Sequence, residues 1–347
     1  MERNRTVSVI VPSRREDSLQ RCLVSLENQT YPADRFEVIV VSPEKFIIEK
    51  ASKVTIKNIV DSRANQAEAR NIGEKQAKGD ILAFCDDDCV LPPNWIENGV
   101  KHFSDNSVAT VGGPTVPPLK DVSFNELTTG LLMTSFLGTG SHRKAYSAAS
   151  KAEPHVCRPV EIIGANMFVD RAKFREVGGF DRIVPQEEDR LNTEFVRKGH
   201  KIIYDPACSN VHYQRPYGSQ FVRNIFWLMN GQGFLATGRL SPSSLYYLVP
   251  SLFVTGLIVG PFLFFIPYVS LVYFSALVLY FVSVFAESLR LSVKLETPRQ
   301  QKLMVFLTFP FVLFVHHVVA GLGFMFGSLR QLSHRIRLKF MAKKETR

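Results

Sequence analysis

The chain has 347 residues, 46% of them hydrophobic and 21% charged, with a formal net charge of +10. That length holds one large domain or two ordinary ones; the charged fraction excludes a wholly embedded membrane protein, and the apolar fraction excludes a disordered chain. Residues 241–347 carry 11 Lys+Arg against 3 Asp+Glu, whereas the first 240 carry 31 against 29. Such segregation points to lipid headgroups and membrane orientation, not to a nucleic-acid-binding domain.

The opening MERNRTVSVIVPS reaches a β-branched run and then polar residues, without the apolar core of a signal peptide. The first 240 residues are therefore expected on the cytosolic side. VSVIV at 7–11, closed by Pro12, reads as a buried strand. Leu19, Cys22, Leu23 and Leu26 then recur at helical spacing. FEVIVV at 36–41 and VTIKNIV at 54–60 are further strands, and Ala67 to Lys78 is a helix stopped by Gly79. ILAFC at 81–85 is a strand that runs straight into Asp86-Asp87-Asp88. This alternation predicts a mostly parallel sheet wound by helices, with ligands bound beyond the carboxyl ends of its strands. The Pro12–Asp17 loop and the Asp triplet both lie at such ends.

VATVGGP at 108–114 and EIIGANMFVD at 161–170 are expected strands, separated by a polar stretch from Ser141 to Arg158. Arg171 to Val177 reads as a short helix ended by Gly178-Gly179. Leu191 to Lys198 reads as a helix after the acidic cluster at 187–189, and KIIYD at 201–205 as a last strand. Cys22, Cys85, Cys89, Cys157 and Cys208 are odd in number and lack CxxC spacing, which fits reduced thiols. Residues 219–235 suit a helix in the membrane interface. Leu240 to Ala286 gives 47 residues without Asp, Glu, Lys or Arg, and Leu303 to Leu329 gives 27. The first run suits a hairpin of two spans, punctuated by Gly260-Pro261 and Pro267, and the second a third span. The basic tail conflicts with three full spans under the positive-inside tendency. A re-entrant last run, aided by Pro310 and Gly321/Gly323, is the other arrangement.

Clustered carboxylates repel one another, so the Asp triplet needs a cation or solvent. A solvated acidic turn is the plain reading. The apolar strand before it and Pro92-Pro93 after it suit hard oxygen ligands holding Mg²⁺ or Mn²⁺ with a diphosphate.

Taken in order, VSVIVPS at 7–13, Asn65-Gln66-Ala67-Glu68-Ala69-Arg70-Asn71-Ile72-Gly73, the Asp triplet, Gly178-Gly179-Phe180-Asp181 and the acidic cluster resemble glycosyltransferase family 2 over roughly residues 7–235. The resemblance implies an α/β GT-A nucleotide-sugar-binding fold with a central mixed sheet over residues 1–215. Interfacial helices would follow at 216–240, a transmembrane region of about three helices at 241–329, and a basic tail at 330–347. It implies inverting transfer of a sugar from a nucleotide donor, UDP- or GDP-sugar by default, to an acceptor hydroxyl. Pro12, Ser13, Arg14 and Glu16 match the loop around base and ribose, with Arg14 in place of the usual aromatic. Ser42 stands where the family has a base-reading aspartate, and Asp61 is a possible substitute. Arg70 matches a basic residue near the diphosphate, and Asp86 and Asp87 belong with the donor.

The same resemblance makes Asp86 and Asp88 the D-x-D pair, with Asp88 the direct ligand of Mn²⁺ or Mg²⁺ and His212 a further ligand. A lone His is also an ordinary packed residue. The acidic cluster supplies the general base: the literal Glu-Asp pair points to Asp189, the spacing to Gly199 points to Glu188, and Glu187 ranks third. Carboxylates there also suit a helix N-terminus. Gln220, Arg223 and Asn224 resemble a QxxRW acceptor motif that has lost its tryptophan; a basic interfacial helix is the plain alternative. The expectation is a multi-pass enzyme of the cell membrane with a cytosolic catalytic domain. Its partners would be membrane lipids and a lipid-linked acceptor such as a polyprenyl-phosphate saccharide, without nucleic acid. A processive polysaccharide synthase and a non-catalytic sugar-binding scaffold are the alternatives.

Overall fold

A computed structural model describes residues 5–47, 53–147, 153–181, 187–236 and 242–345. Part of the polar stretch (148–152), the head of the first apolar run (240–241) and the last two tail residues lie outside the described residues. The chain divides into two units, one of residues 1–118 and 141–214, the other of residues 119–140 and 215–347.

The first unit holds strands β1 (Val7–Pro12), β2 (Phe36–Ser42), β3 (Thr55–Val60), β4 (Ile81–Cys85), β5 (Cys89–Val90), β6 (Val108–Gly112), β7 (Thr115–Val116), β8 (His155–Val156), β9 (Asn166–Asp170), β10 (Lys201–Tyr204) and β11 (Asn210–His212). Eight of them form one sheet in the order β3-β2-β1-β4-β9-β6-β10-β8, and β5-β11-β7 form a second. β1 pairs in parallel with β2 and β4, whereas β9 runs antiparallel to β4 and β6, so the main sheet is mixed, as expected. The period-2 geometry of strands sorts the core onto two faces. Val7, Val9 and Val11 pack with Leu19, Cys22 and Leu26 of α1 (Glu16–Glu27) on one face. Ile10, Leu82 and Phe84 pack on the other with Ala67 and Ala69 of α2 (Gln66–Gln76).

Two smaller elements flank the start of β9. α3 (Trp95–Val100) buries Trp95, whose Nε1 donates to Asn166 at the start of β9. Pro159–Glu161 is a short 3₁₀ turn that takes in Glu161, the first residue of the strand expected at 161–170, and Arg158 and Glu161 cap each other across it. β9 accordingly begins only at Asn166.

The second unit is helical: α4 (Phe124–Thr134) and α5 (Phe136–Thr139), then, after α6 (Arg171–Glu176) and α7 (Glu187–Arg197) of the first unit, α8 (Ser219–Ala236), α9 (Pro242–Val259), α10 (Pro267–Lys294) and α11 (Arg299–Glu345). A 3₁₀ turn at Gly260–Leu263 and Pro267 punctuate the hairpin where the sequence indicated. Among the described residues two helices are long and apolar enough to cross a membrane, Pro267–Lys294 and the Arg299–Arg335 part of α11; Leu248–Leu263 is a shorter apolar segment. Only 6% of the apolar window of α10 is buried, so its Leu, Val and Phe side chains call for a non-aqueous surround, which suits membrane association.

Glycines let α8 and α11 approach: a Cβ at Gly233 would meet the Phe324 carbonyl at 2.0 Å, and one at Gly327 the Asn230 carbonyl at 1.9 Å. Several polar groups of this unit are paired around α5. Glu287 accepts from Ser135 Oγ (2.8 Å), the Phe136 N–H (3.2 Å) and Arg290. His316 and His317 donate from Nε2 to the carbonyls of Gly138 and Leu137, while Tyr280 donates to His317 Nδ1. α5 is thereby held at both of its ends.

Candidate active site

Two neighbouring parallel strands end side by side: β1 delivers the loop Pro12-Ser13-Arg14-Arg15, and β4 delivers the Asp triplet. The triplet is a tight turn closed by the Cys89 N–H donating to the Asp86 carbonyl (3.1 Å), so its three carboxylates are sent in three directions.

Asp87 points back at the first loop. It accepts from Ser13 Oγ (2.9 Å) and from the backbone N–H groups of Arg14 (3.0 Å) and Arg15 (3.2 Å). Burial, and then the charge of Asp88, pushes its carboxyl up. Pro12 ends β1, the Arg14 guanidinium donates to the Ala64 carbonyl, and Glu16 opens α1 and accepts from the Ile47 N–H. Ser42 accepts from Asn58 Nδ2, and Asp61 caps the turn at Arg63 and Ala64.

Asp86 points toward α2, accepting from Gln66 Nε2 and Arg70 Nη2, each at 2.9 Å. Arg70 is only 2% exposed and spends the other end of its fork on Glu187 (2.6 Å). It is therefore a buried strut between the triplet and the acidic cluster. Gly164 makes room for it: a Cβ there would lie 2.8 Å from Arg70 Nη1. The loop Gly178-Gly179-Phe180-Asp181 is fixed to α2 by Asn71, which donates to the Phe180 carbonyl (2.8 Å) and accepts from the Phe180 N–H (3.0 Å). Gly178 and Gly179 take φ of +86° and +78°, backbone that favours glycine.

Asp88 faces the second sheet. Its Oδ2 takes the Arg15 guanidinium at 2.5 Å, and its Oδ1 lies 2.7 Å from His212 Nε2 on β11. That contact lacks hydrogen-bond geometry, so Oδ1 is a buried oxygen with no hydrogen-bond partner. The Tyr213 N–H donates to the Asp88 carbonyl (2.9 Å) and Gln214 sits 3.0 Å from His212 Nδ1, which fixes the ring. Burial works against charge on both groups. Each is overridden by the other: Asp88 falls below its ordinary value and His212 rises above its own.

Asp88, His212 and Cys89 bring ligand atoms within 4.8 Å of one another. A carboxylate oxygen and an imidazole nitrogen suit Mn²⁺ or Mg²⁺. Cys89 does not: burial pushes its thiol well up, and it donates to the Ala165 carbonyl. The orphaned Oδ1 beside Nε2 therefore fits a divalent cation, with Asp86 turned away from that pair.

The acidic cluster forms the first turn of α7, where the helix dipole favours it, and not the loop before a later helix. Glu187 is held by Arg70. Glu188 accepts from the Gly164 N–H, yet burial and Glu187 push it up. Asp189 is also pushed up, by burial and then by Glu188 and Glu187, and among the described residues its carboxylate accepts no hydrogen bond. Tyr146 lies close enough for Glu188 and Asp189 to push its hydroxyl up, after burial.

Arg15, Gly164 and Tyr146 were not singled out from sequence. Arg15 alone left a signal, a second basic residue at a strand end beside the triplet. Gln220, Arg223 and Asn224 are exposed on α8 in the second unit, near exposed Trp227.

The family model described as "Glycosyl transferase family 2" matches residues 8–155, which hold the first loop, α2 and the triplet. Residues 8–155 belong to glycosyltransferase family 2. The transferase is 27% identical over 236 residues to Glycosyltransferase AglE of Haloferax volcanii, covering 65% of this chain and 72% of that protein. It is 18% identical over 346 residues to a dolichyl N-acetyl-alpha-D-glucosaminyl phosphate 3-beta-D-2,3-diacetamido-2,3-dideoxy-beta-D-glucuronosyltransferase of Methanococcus voltae, covering 93% and 97%. Among solved structures, the mannosyltransferase PcManGT of Pyrobaculum calidifontis, in complex with GDP-Man and Mn²⁺, superposes with a TM-score of 0.51 at 17% identity, covering 94% of this chain and 87% of that one. At that identity the likeness is one of fold, and the fold is GT-A.

Proposed function

We propose that this glycosyltransferase moves a sugar, with inversion, from a UDP- or GDP-sugar to a hydroxyl of a lipid-linked saccharide at the cytosolic membrane face, in glycan or polysaccharide assembly. The observation that carries the reading is the buried Oδ1 of Asp88, which lacks a well-formed hydrogen bond and lies 2.7 Å from His212 Nε2, at the carboxyl end of β4. Asp88 and His212 would hold Mn²⁺ or Mg²⁺, which when bound offsets the charge of the departing nucleoside diphosphate. Asp87 keeps the first loop in place for the donor. Arg70 holds Asp86 on the donor side and Glu187 on the base side, and so spaces the two halves of the site.

Asp189 is the base. Glu187 is committed to Arg70 and Glu188 to the Gly164 N–H, which leaves the Asp189 carboxylate to take a proton. The acceptor oxygen bonds to the anomeric carbon as the bond from that carbon to the phosphate oxygen breaks. Its proton passes to Asp189, and the electron pair leaves on the diphosphate.

The lipid-linked acceptor, such as a polyprenyl-phosphate saccharide, is supported by the name of the Methanococcus voltae relative and by the two long apolar helices. Anchoring raises the effective concentration of a lipid-borne acceptor. Gln220, Arg223 and Asn224 on α8 would meet the acceptor at the membrane interface, where Trp227 is at home.

The test is hydrolysis of UDP- and GDP-sugars by detergent-purified protein with Mn²⁺ or Mg²⁺, beside Asp88→Ala. Metal-dependent release of one nucleoside diphosphate, lost in the variant, is expected. Absence of any metal-dependent donor binding across the panel sinks the reading.

A further inference from the structure

Two arginines serve the acidic site, and they differ in freedom. Arg70 is enclosed, with 3% of its side chain exposed and both ends of its fork engaged. Arg15 is held along its backbone, and its side chain is engaged through a single nitrogen, Nη2. Its N–H donates to Asp87, and its carbonyl accepts from the Leu19 N–H (3.2 Å), Ser18 Oγ (3.3 Å) and Ser13 Oγ (3.4 Å). Its side chain is 36% exposed and reaches over to Asp88 Oδ2 at 2.5 Å, with a looser contact to Asp87 at 3.5 Å. Arg15 thus occupies one oxygen of the carboxylate whose other oxygen is turned to His212.

We propose that Arg15 is a swinging counter-charge: it neutralises Asp88 in the free enzyme and moves to the donor's diphosphate when a divalent cation takes Asp88. The inference rests on the metal reading above. A cation between Asp88 and His212 places two positive charges beside the guanidinium and removes the negative charge that held it. The loop keeps the backbone of Arg15 in place, so only the side chain turns. A planar guanidinium suits phosphate oxygens bidentately. Arg15 therefore opposes metal binding in the free enzyme and favours the diphosphate once metal is present. This couples the two ligands, and the coupling must be reciprocal.

The experiment uses the full chain in detergent with two readouts that do not depend on turnover. Mn²⁺ binding without nucleotide is followed by the electron paramagnetic resonance signal of free Mn²⁺; UDP and GDP binding at saturating Mn²⁺ is followed by calorimetry. Arg15→Gln is expected to bind Mn²⁺ about tenfold more tightly than the natural protein and the preferred nucleoside diphosphate about tenfold more weakly. A residue that merely props the loop would weaken both. Arg15→Lys keeps the charge without the fork, so it should bind Mn²⁺ as the natural protein does and still lose diphosphate affinity. It carries the test if the Gln variant does not fold. Unchanged or weaker Mn²⁺ binding by Arg15→Gln, or tighter Mn²⁺ binding with unchanged diphosphate affinity, overturns the swing. Asp88→Asn separates the two ideas. If that variant binds Mn²⁺ as the natural protein does, the metal reading itself falls; if it binds none while Arg15→Gln behaves like the natural protein, only the swing falls.

Discussion

Replacing Asp189 by Asn should cost activity and raise stability, and the two effects together test the assignment of the base. The fold pushes this carboxyl from an ordinary 3.8 up to about 8, by burial first and then by the charges of Glu188 and Glu187. A carboxyl raised in the folded state keeps its proton where the unfolded chain has given it up. It therefore costs stability increasingly as pH climbs from the unfolded value through the folded one. At ~1.36 kcal/mol for each pH unit, the interval sets a ceiling of roughly 6 kcal/mol. Partial exposure and the charge shared with Glu188 reduce it to about 2 kcal/mol.

Asn carries no such charge, so Asp189→Asn should melt roughly 4–8 °C higher at pH 8.5. At pH 5.5, where the folded natural protein is still protonated and only part of the interval has been crossed, the gain should be less than half as large. Thermal unfolding of detergent-solubilised protein at the two pH values reads this directly. Transfer activity should fall by about 10²- to 10⁴-fold. A stability gain that does not grow with pH, or a loss, refutes the electrostatic reasoning. Full activity in the variant refutes the base.

The same electrostatics predicts that kcat/KM rises with pH through the neutral range, since the base must be deprotonated and the Glu188–Asp189 pair is raised toward about 7 and about 8; a limb near pH 4 would contradict it. Arg70→Met leaves Asp86 and Glu187 buried without their shared cation, which should cost about 3–5 kcal/mol and lower Tm by roughly 10 °C, read by thermal unfolding. Gly164→Ala puts a methyl group 2.8 Å from Arg70 Nη1 and is expected to cost about 1–3 kcal/mol with a larger proportional loss of transfer, measured by melting and donor hydrolysis on one preparation. Gly327→Val should loosen α8 from α11 and speed proteolysis between them, whereas Gly256→Ala, with open space around its Cβ, should not.

The frame of the first unit was legible because its strands are apolar runs bounded by turn residues. VSVIV, FEVIVV and ILAFC each became a fully or largely buried strand in neighbouring positions of one sheet. The Asp triplet was legible as a candidate site for the same reason, since it ends a strand next to β1. What each carboxylate does was not. Three identical residues in one tight turn face three ways, one to the first loop, one to Arg70 and one to His212, and no periodicity encodes that. The start of α7 was read too late because its first turn is all carboxylate, a pattern shared by loops and helix N-termini. Residues 119–140 gave no sign of belonging with the C-terminal helices. The reason lies far along the chain, in Glu287, His316 and His317, which satisfy the backbone around α5.

The charge balance of the site explains why its parts behave as they do. Six carboxylates, Asp86 to Asp88 and Glu187 to Asp189, are gathered around two arginines and one histidine. Asp88 falls below its ordinary value beside His212 and Arg15 despite burial, whereas Asp87, with only the looser contact to Arg15, is pushed up. Where no cation is adjacent the proton is retained, as at Asp189, or the pull of Arg70 is outweighed, as at Glu188. The buried strut Arg70 pairs with both Asp86 and Glu187, so the proposed donor half and base half share one cation. A divalent ion at Asp88 and His212 would add positive charge to a site that is short of it, and would let Arg15 leave. On the proposed reading, a site with this excess of carboxylate would bind a metal, free a guanidinium for the diphosphate and keep a proton acceptor near neutrality through a single imbalance.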